Sequence, residues 1–462
     1  MLTLTDRKLK NKHLRHNEYY DIQKDFDELY VQAKNNQNFY HLMELITSEE
    51  NIKLAYRNIK KNSGSQTSGT NGRNIQSIAK LGTTDYVGYV RKRLTNYQPQ
   101  SVKRVMIPKS NGKMRPLGIP TIEDRLIQQC IKQVLEPICE AKFYPYSFGF
   151  RPNRSTKHAI SRCYHLMQQT ETHYVVDVDI KSFFDNVDHG KLIKQMWALG
   201  IRDKRLLSII SKLLKAEIEE EGVPIKGTPQ GGVLSPLLSN IVLNELDWWI
   251  HSQFDGMITR SEPARHDKNM RDRMLKKYSK LKEVHIVRYA DDFKIFCRSY
   301  QDAKRIKIAT ISWLKERLSL EVAEDKTCIT NLRHNYSDFL GVKLKVHPKG
   351  KKKNGKPKYV VKSRLNDKAM DKLKDGLLTA VKDIKHAKSK ELPKAIGAYN
   401  AKIMGYHNYY NMATHCSKDF HKLDYLTLKA RKNRFEDLKT ASGHASKAIK
   451  ITPENHVGLP RG

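Results

Sequence analysis

The chain has 462 residues, of which 85 are Lys or Arg and 49 are Asp or Glu, so its formal net charge is +36. This length predicts about two to four domains. The hydrophobic content of 39% excludes a fully disordered chain. No apolar run approaches the roughly 20 residues that cross a bilayer. The charge indicates a polyanionic partner, foremost a nucleic acid, rather than a membrane surface.

Six cysteines are scattered along the chain without the spacing of a zinc site or of a disulfide-rich scaffold. The first twenty residues contain no apolar stretch of the kind that a secretory signal requires. These observations predict a reduced protein in a cytoplasm of bacterial type, with an organelle left open.

The elements of the first half are predicted from apolar spacing and turn residues. In chain order these are a charged helical region, a helix, a polar loop, a hairpin and a long helix, at residues 1–45, 51–62, 62–74, 102–120 and 122–142. A β-branched run then begins at residue 174 and predicts a buried strand.

The second half predicts helices separated by one strand–turn–strand unit and one further strand. The helices are predicted at 189–218, 234–250, 302–318 and 366–435, the strand–turn–strand at 283–298 and the further strand at 339–346. Residues 343–364 contain ten Lys or Arg residues and no acid, which predicts a basic loop that contacts phosphate. A solvated loop is the alternative.

Acidic residues stand at the ends of predicted strands. Asp179 closes the strand that begins at residue 174, and Asp291 and Asp292 lie at the tip of the strand–turn–strand. Carboxylates that meet at one end of a sheet are suitable ligands for Mg²⁺. Asp is also a common turn residue, so an Asp pair in a turn would carry little weight alone. A second strand-borne Asp and the large positive charge strengthen the metal interpretation.

Five sequence blocks resemble the reverse transcriptases encoded by group II introns. Tyr289-Ala290-Asp291-Asp292 resembles the YxDD box, and VDVDIKSFFDNV resembles the first catalytic-aspartate motif, with Asp179 at the matching position. The other three are GTPQGGVLSPLLSNIVLNELD, RPLGIPTIEDRLIQQCI and YSFGFRPNRSTKHAI. NIKLAYRNIKKNSG and YNAKIMGYHNYY resemble the flanking N-terminal and maturase blocks. The residues after Cys416 contain no further cysteine, so the resemblance is to the form that lacks an endonuclease.

The resemblance implies an α+β fold shaped as a right hand, in which an antiparallel palm sheet is backed by helices. The implied divisions are an N-terminal extension with the RNA-binding part of the fingers, the fingers and palm, a basic linker, a helical thumb and a flexible tail, at 1–100, 101–345, 346–365, 366–440 and 441–462.

The resemblance also implies the roles of individual residues. Asp179, Asp291 and Asp292 would hold two Mg²⁺ ions together with the backbone carbonyl of Ile180. The nucleotide-binding residues would be Lys109, Arg115, Phe184, Gln230 and Lys326, with Phe184 as the steric gate and Phe183 as its rival. Phe339, Leu340 and Gly341 would form the primer grip. Arg151 and Arg154 would contact the template, and a structural salt bridge is the alternative for either arginine.

The implied function is RNA-directed DNA synthesis, combined with maturase binding of group II intron RNA. The implied partners are this RNA, a template and primer, and dNTPs, and a homodimer is left open. One alternative is a non-catalytic splicing factor that binds RNA, against which the complete acidic triplet argues. Another is a reverse transcriptase of a defence or CRISPR system, which the genomic context would distinguish.

Overall fold

The computed structural model describes residues 15–108, 112, 114–229, 231–257, 267–278 and 283–435. The candidate nucleotide-binding residues Lys109 and Gln230, and the tail predicted at 441–462, lie outside the described residues. Within the described part of the chain, no helix is both long enough and apolar enough to cross a membrane.

The helices in the described residues are α1 (His16–Tyr19), α2 (Gln23–Lys34), α3 (Leu42–Ile46), α4 (Glu49–Lys60), α5 (Ile75–Ala79), α6 (Thr83–Thr95), α7 (Ile122–Glu140), α8 (Thr156–Gln168), α9 (His189–Ala198), α10 (Lys204–Leu214), α11 (Ser235–Ser252), α12 (Lys268–Tyr278), α13 (Tyr300–Leu318), α14 (Asp367–His386), α15 (Leu392–Tyr410) and α16 (Cys416–Phe435). The strands are β1 (Lys103–Pro108), β2 (Met114–Ile119), β3 (Tyr174–Val178), β4 (Val284–Tyr289), β5 (Asp292–Cys297), β6 (Cys328–Asn331), β7 (Ser337–Phe339), β8 (Val342–Lys351) and β9 (Pro357–Leu365).

A four-stranded antiparallel sheet, in the order β4-β5-β3-β6, lies at the centre. Strands β4 and β5 are buried on both faces along almost their whole length, which explains why they read as nearly continuous apolar runs. Val176 and Val178 face a core shared with the N-terminal helices. Val175 faces a second core shared with the C-terminal elements. The sheet therefore separates two hydrophobic cores.

Helix α7 is the centre of the first core. Thr121 caps it, because its hydroxyl accepts a hydrogen bond from the backbone N–H of Asp124. Most of its residues are buried, and it packs against α2, α3 and α4. The side chain of Asn51, on α4, donates to the backbone carbonyl of Cys130 at 3.1 Å. The N-terminal helices are thus tied to α7 by polar contacts as well as by apolar packing.

The C-terminal part begins with the three-stranded antiparallel sheet β7-β8-β9, on which α14, α15 and α16 pack. The structure corrects the prediction of a linker or loop at 346–365, because β8 and β9 form a long hairpin over most of this range. The basic composition concealed an apolar alternation in which Val342, Leu344 and Val346 face the core.

The architecture confirms the coarse prediction of a mixed fold in which helices pack on antiparallel sheets. The predicted hairpin corresponds to β1 and β2, and the predicted strand–turn–strand corresponds to β4 and β5. The helix predicted at 189–218 is two helices, α9 and α10, joined through Gly200 at a φ of 98°. Such a left-handed conformation favours glycine and ends a helix.

Candidate active site

The three candidate catalytic aspartates meet at one end of the central sheet. Val178 pairs with Phe293, so Asp179, the next residue after β3, lies beside Asp292, the first residue of β5. Tyr289 pairs with Asp292 across a turn formed by Ala290 and Asp291. The pairing of β3 with β5, together with the turn between β4 and β5, therefore brings Asp179 and Asp291 to the same end of the sheet, although they are 112 positions apart in the chain.

The turn between β4 and β5 is tightly enclosed. Ala290 has a φ of 58°, which is uncommon for a residue with a Cβ. A Cβ on Gly149 would lie 2.2 Å from the backbone nitrogen of Ala290, so only glycine permits this approach. The backbone N–H of Phe148 donates to the carbonyl of Arg288 at 2.9 Å. The segment around Gly149 thus packs directly against the turn that carries Asp291.

A buried polar network holds the same turn from the other side. The guanidinium of Arg288 is 1% exposed and donates to Asp247 on α11, with Nη2 2.6 Å from Oδ2. Its Nη1 also donates to the carbonyl of Ala290 at 2.9 Å and to Oδ1 of Asn240 at 2.8 Å. The side chain of Asn240 donates to the carbonyl of Gly149 at 2.8 Å. Helix α11 therefore anchors both the turn and the segment packed on it.

The electrostatics of the turn are those of crowded carboxylates. Burial raises the pKa of Asp291, and the charge of Asp179 raises it further, whereas its own backbone N–H and the charge of Arg115 oppose the shift. Burial raises the pKa of Asp292 to about 6, in opposition to Lys294, and Asp177, Asp291 and Asp179 add to the increase. Asp292 nevertheless reaches solvent, because it lies at the open end of the sheet. A bound cation would relieve this repulsion.

Lys326 forms an ion pair with Asp179, with Nζ 2.9 Å from Oδ2. Ile180 is buried and bridges to Val322, on the segment that leads to Lys326. Among the described residues, no group of three or more His, Cys, Asp or Glu side chains is arranged as a complete metal-ligand set. The hard oxygen donors and their mutual repulsion nevertheless fit Mg²⁺, which keeps several waters and needs only one or two carboxylates from the protein.

A second buried network lies beneath the aspartates. Lys294 on β5 is 2% exposed and forms an ion pair with Asp177 on β3. The Lys294 ammonium also donates to the hydroxyl of Ser337 at 2.7 Å, and that hydroxyl donates to Oδ2 of Asp177 at 3.0 Å. Asp177 lies two residues before Asp179 in the same motif. Its structural position shows that it is a partner of the buried lysine rather than a residue at the open end of the sheet.

Some of the candidate nucleotide-binding residues belong to the part of the chain that the structure describes, and these lie around this end of the sheet. Arg115 is exposed on β2, and its charge lowers the pKa of Asp291, opposing the effect of burial. Gly231 has a φ of 114°, and a Cβ there would lie 2.4 Å from the carbonyl oxygen of Gly118 on β2. The Pro-Gln-Gly-Gly loop and the β1–β2 hairpin are therefore in direct contact.

The two candidates for the steric gate have different environments. Phe183 is 2% exposed and belongs to the hydrophobic core. Phe184 is partly exposed, and its carbonyl accepts a hydrogen bond from the backbone N–H of Thr228 at 2.7 Å. Phe184 is thus the aromatic side chain that remains accessible next to the glycine-rich loop.

The candidate primer grip is a tight turn between β7 and β8. Phe339 pairs with Val342, and the intervening Leu340 and Gly341 have φ values of 52° and 81°. The Phe339 side chain is 1% exposed and lies in the second core. The turn itself, rather than the Phe339 ring, is the part that could contact a ligand.

The two candidate template arginines also differ. Arg151 is buried and forms a bidentate ion pair with Glu140, both distances being 2.9 Å. It also donates to the carbonyls of Tyr144 and Ser147, which supports the alternative of a structural ion pair. Arg154 is partly exposed and lines a cavity of about 1060 Å³ between α2, α7 and α8. Only Arg154 therefore retains a surface for contact with a template.

The sequence did not reveal which residues hold the turn between β4 and β5 in place. Asn240 and Asp247 belong to one of the five blocks and Arg288 directly precedes another, yet their pairing spans more than forty residues. The signal available was an arginine directly before the Tyr-Ala-Asp-Asp box, on a strand that is otherwise buried. A buried arginine demands a carboxylate partner, but the sequence alone does not indicate which one.

Comparison with known proteins decides the family. The family described as reverse transcriptase (RNA-dependent DNA polymerase) matches residues 107–344. This range makes up more than half of the chain and includes all three aspartates. This chain belongs to the reverse transcriptase family. The enzyme is similar to the Protein YkfC of Escherichia coli (strain K12), with 34% identity over 315 residues, which cover 66% of this chain and 82% of that protein.

Other relatives of this reverse transcriptase carry intron names. It is similar to the Group II intron-encoded protein LtrA of Lactococcus lactis subsp. cremoris, with 32% identity over 433 residues, 80% of this chain and 70% of that protein. It is also 30% identical to the Putative COX1/OXI3 intron 2 protein of Saccharomyces cerevisiae over 366 residues, 70% of this chain and 42% of that protein.

Proposed function

We propose that this RNA-directed DNA polymerase extends a primer on an RNA template with two Mg²⁺ ions held by Asp179, Asp291 and Asp292. The observation that carries the proposal is the convergence of these three carboxylates at one end of the central sheet. The carbonyl of Ile180 would complete the ligand set. Two ions about 4 Å apart would stabilise the attacking and leaving oxygens of phosphoryl transfer.

The residues around the sheet end would bind and orient the nucleotide. Lys109 and Arg115 would contact the triphosphate, because arginine forms bidentate bonds with phosphate oxygens. Phe184 would exclude a ribose 2′-OH, and Gln230 would line the pocket. Lys326 would exchange its contact with Asp179 for one with the pyrophosphate group, close to the departing oxygen.

The proposed right-hand assignment places the fingers and palm before residue 345 and the thumb in α14–α16. The turn at Leu340 and Gly341 would form the primer grip, supported by its place between the central sheet and the C-terminal helices. Arg154 would contact the template. The location would be the cytoplasm or an organelle.

We further propose that the enzyme is a maturase that binds group II intron RNA and promotes its splicing and mobility. The names of two relatives as intron proteins and the net charge of +36 support this role. Polymerisation and splicing would use different chemistry, because the protein would assist splicing by binding the RNA and stabilising its fold. The two activities should therefore be separable by mutation.

The test is a splicing assay on a precursor RNA transcribed from the genomic sequence that flanks this coding region. We expect the wild-type protein and Asp291→Ala to accelerate splicing equally, while only the wild type synthesises cDNA. If neither protein accelerates splicing, or if the flanking sequence contains no group II intron domains, the maturase role is contradicted. Loss of splicing by Asp291→Ala alone would contradict the separation of the two activities.

A further inference from the structure

Part of the solvent-facing side of the β8–β9 hairpin carries positive charge that no carboxylate among the described residues neutralises. Side chains alternate along β8, so that Val342, Leu344 and Val346 are buried while Lys345 and His347 face outward. Lys345 pairs across the hairpin with Lys362 on β9. We call Lys345, His347 and Lys362 the ribbon face.

Two successive cross-strand pairs of this hairpin show the contrast. Lys343 lies opposite Arg364, and each has a carboxylate partner, Asp367 at 2.8 Å and Asp419 at 2.5 Å respectively. The next pair, Lys345 and Lys362, has no carboxylate partner among the described residues. Lys345 instead donates to the backbone carbonyl of His334 at 2.6 Å. Like charges placed directly opposite each other destabilise a sheet, so this arrangement has a cost that folding alone does not explain.

The positive charge of these lysines also lowers the pKa of two nearby histidines. Slight burial lowers the pKa of His347, and the charges of Lys362 and Lys345 lower it further. His415, in the loop beside β9, has its pKa lowered by burial and then by Lys362 and Lys418. Positive charge also continues along the hairpin toward its tip, on the exposed residues Lys349, Lys351, Lys353, Lys356 and Lys358.

We propose that the ribbon face is a binding site for the sugar–phosphate backbone of double-helical RNA. This inference rests on the proposed RNA-binding function and assigns it to a surface. Phosphates would supply the charges that the protein does not provide, and release of counterions would favour binding.

The surroundings of the ribbon face favour a duplex over a single strand. Proteins that bind single-stranded RNA present aromatic side chains on which bases stack. The nearest aromatic residue of this kind, Tyr336, has its ring covered by the ammonium groups of Lys343 and Lys345, at 5.5 Å and 5.2 Å from the ring centroid. His347 is the one ring among the three residues of the ribbon face, and a face made mainly of cations is suited to a regular backbone rather than to splayed bases.

The test measures binding of the full chain to a blunt 20-base-pair RNA duplex and to a 20-nucleotide single strand as a function of salt. The variant is the double substitution Lys345→Gln and Lys362→Gln. The matched control, Lys194→Gln with Lys204→Gln, removes the same charge from exposed positions on α9 and α10. A second variant, Lys362→Arg, retains the charge.

We expect the ribbon double variant to bind the duplex several-fold more weakly and to reduce the slope of log K against log salt by roughly 2, or about 1 per lysine. The control and Lys362→Arg should keep the wild-type slope. Equal effects of the ribbon and control variants would overturn the proposal, as would a loss confined to the single strand. Because primer extension on a short substrate is measured separately, failure of the polymerase function would not be confused with failure of this assignment.

Discussion

At the scale of single residues, Gly149 packs most closely against the turn between β4 and β5 that carries Asp291. Any side chain there would collide with the backbone of Ala290, since a Cβ would lie 2.2 Å from its nitrogen. The nearest atoms at that position are backbone atoms of Ala290 and Tyr289, which cannot rotate away. The turn would therefore have to move, and Asp291 and Asp292 would move with it.

We predict that Gly149→Ala lowers the rate of primer extension on the order of 100-fold, because a displacement of about 1 Å at reacting groups has an effect of this size. RNA binding by the ribbon face should be unchanged, since that face lies on the β8–β9 hairpin. The control is Gly405→Ala on α15, where a Cβ meets nothing within 4 Å. A Gly149→Ala enzyme with wild-type turnover would show that the turn is not held by this contact.

The sequence predicted that the three aspartates would meet at one end of a sheet, because the motifs that carry them are local and specific. It could not predict what surrounds them. Arg151 resembled a template contact, but its guanidinium is buried against Glu140. Phe339 resembled a primer contact, but its ring lies in the core. In both cases the residue type matched a role that only burial could exclude, and burial depends on elements distant in the chain.

At the scale of elements, α11 is joined to β4 by the buried pair of Asp247 and Arg288. Burial raises the pKa of Asp247, whereas the Arg288 charge and hydrogen bonds oppose this shift. Removing the carboxylate would leave a buried guanidinium charge with only neutral partners, and that is much less favourable than the intact pair.

We predict that Asp247→Leu lowers the free energy of unfolding by about 3–5 kcal/mol, as expected when one partner of a buried pair is lost. Urea denaturation followed by circular dichroism would measure it. The exposed pair of Lys181 and Glu321, 3.7 Å apart, provides the control. Glu321→Gln should change stability by less than about 1 kcal/mol. Similar losses for both variants would contradict a special role for the buried pair.

The hairpin β8–β9 shows where composition misleads. A stretch with ten basic residues and no acid suggested a loop, yet at the start of β8 every second residue from Val342 to Val346 is apolar and buried. Period-two alternation was present in the sequence, but lysines occupied the alternate positions and dominated the composition. Long basic side chains are compatible with a strand when one face of the strand is solvent-exposed.

At the scale of the whole molecule, the central sheet separates two cores, and the three candidate catalytic aspartates lie at one end of that sheet. The N-terminal helices pack on one side through residues such as Val176, and the C-terminal sheet and helices pack on the other through Val175. Consecutive residues of one strand therefore belong to different cores. A rigid sheet held from both sides can maintain carboxylates in place against their mutual repulsion.

The central claim is that this sheet end is the polymerase active site. Primer extension on poly(rA) with oligo(dT), dTTP and Mg²⁺ tests it most directly, comparing the wild type with Asp291→Ala and with Asp383→Ala, which removes an exposed carboxylate on α14. We predict Mg²⁺-dependent cDNA from the wild type and Asp383→Ala, and none from Asp291→Ala. Undiminished synthesis by a folded Asp291→Ala enzyme, or none by a folded wild type that binds RNA, would contradict the claim.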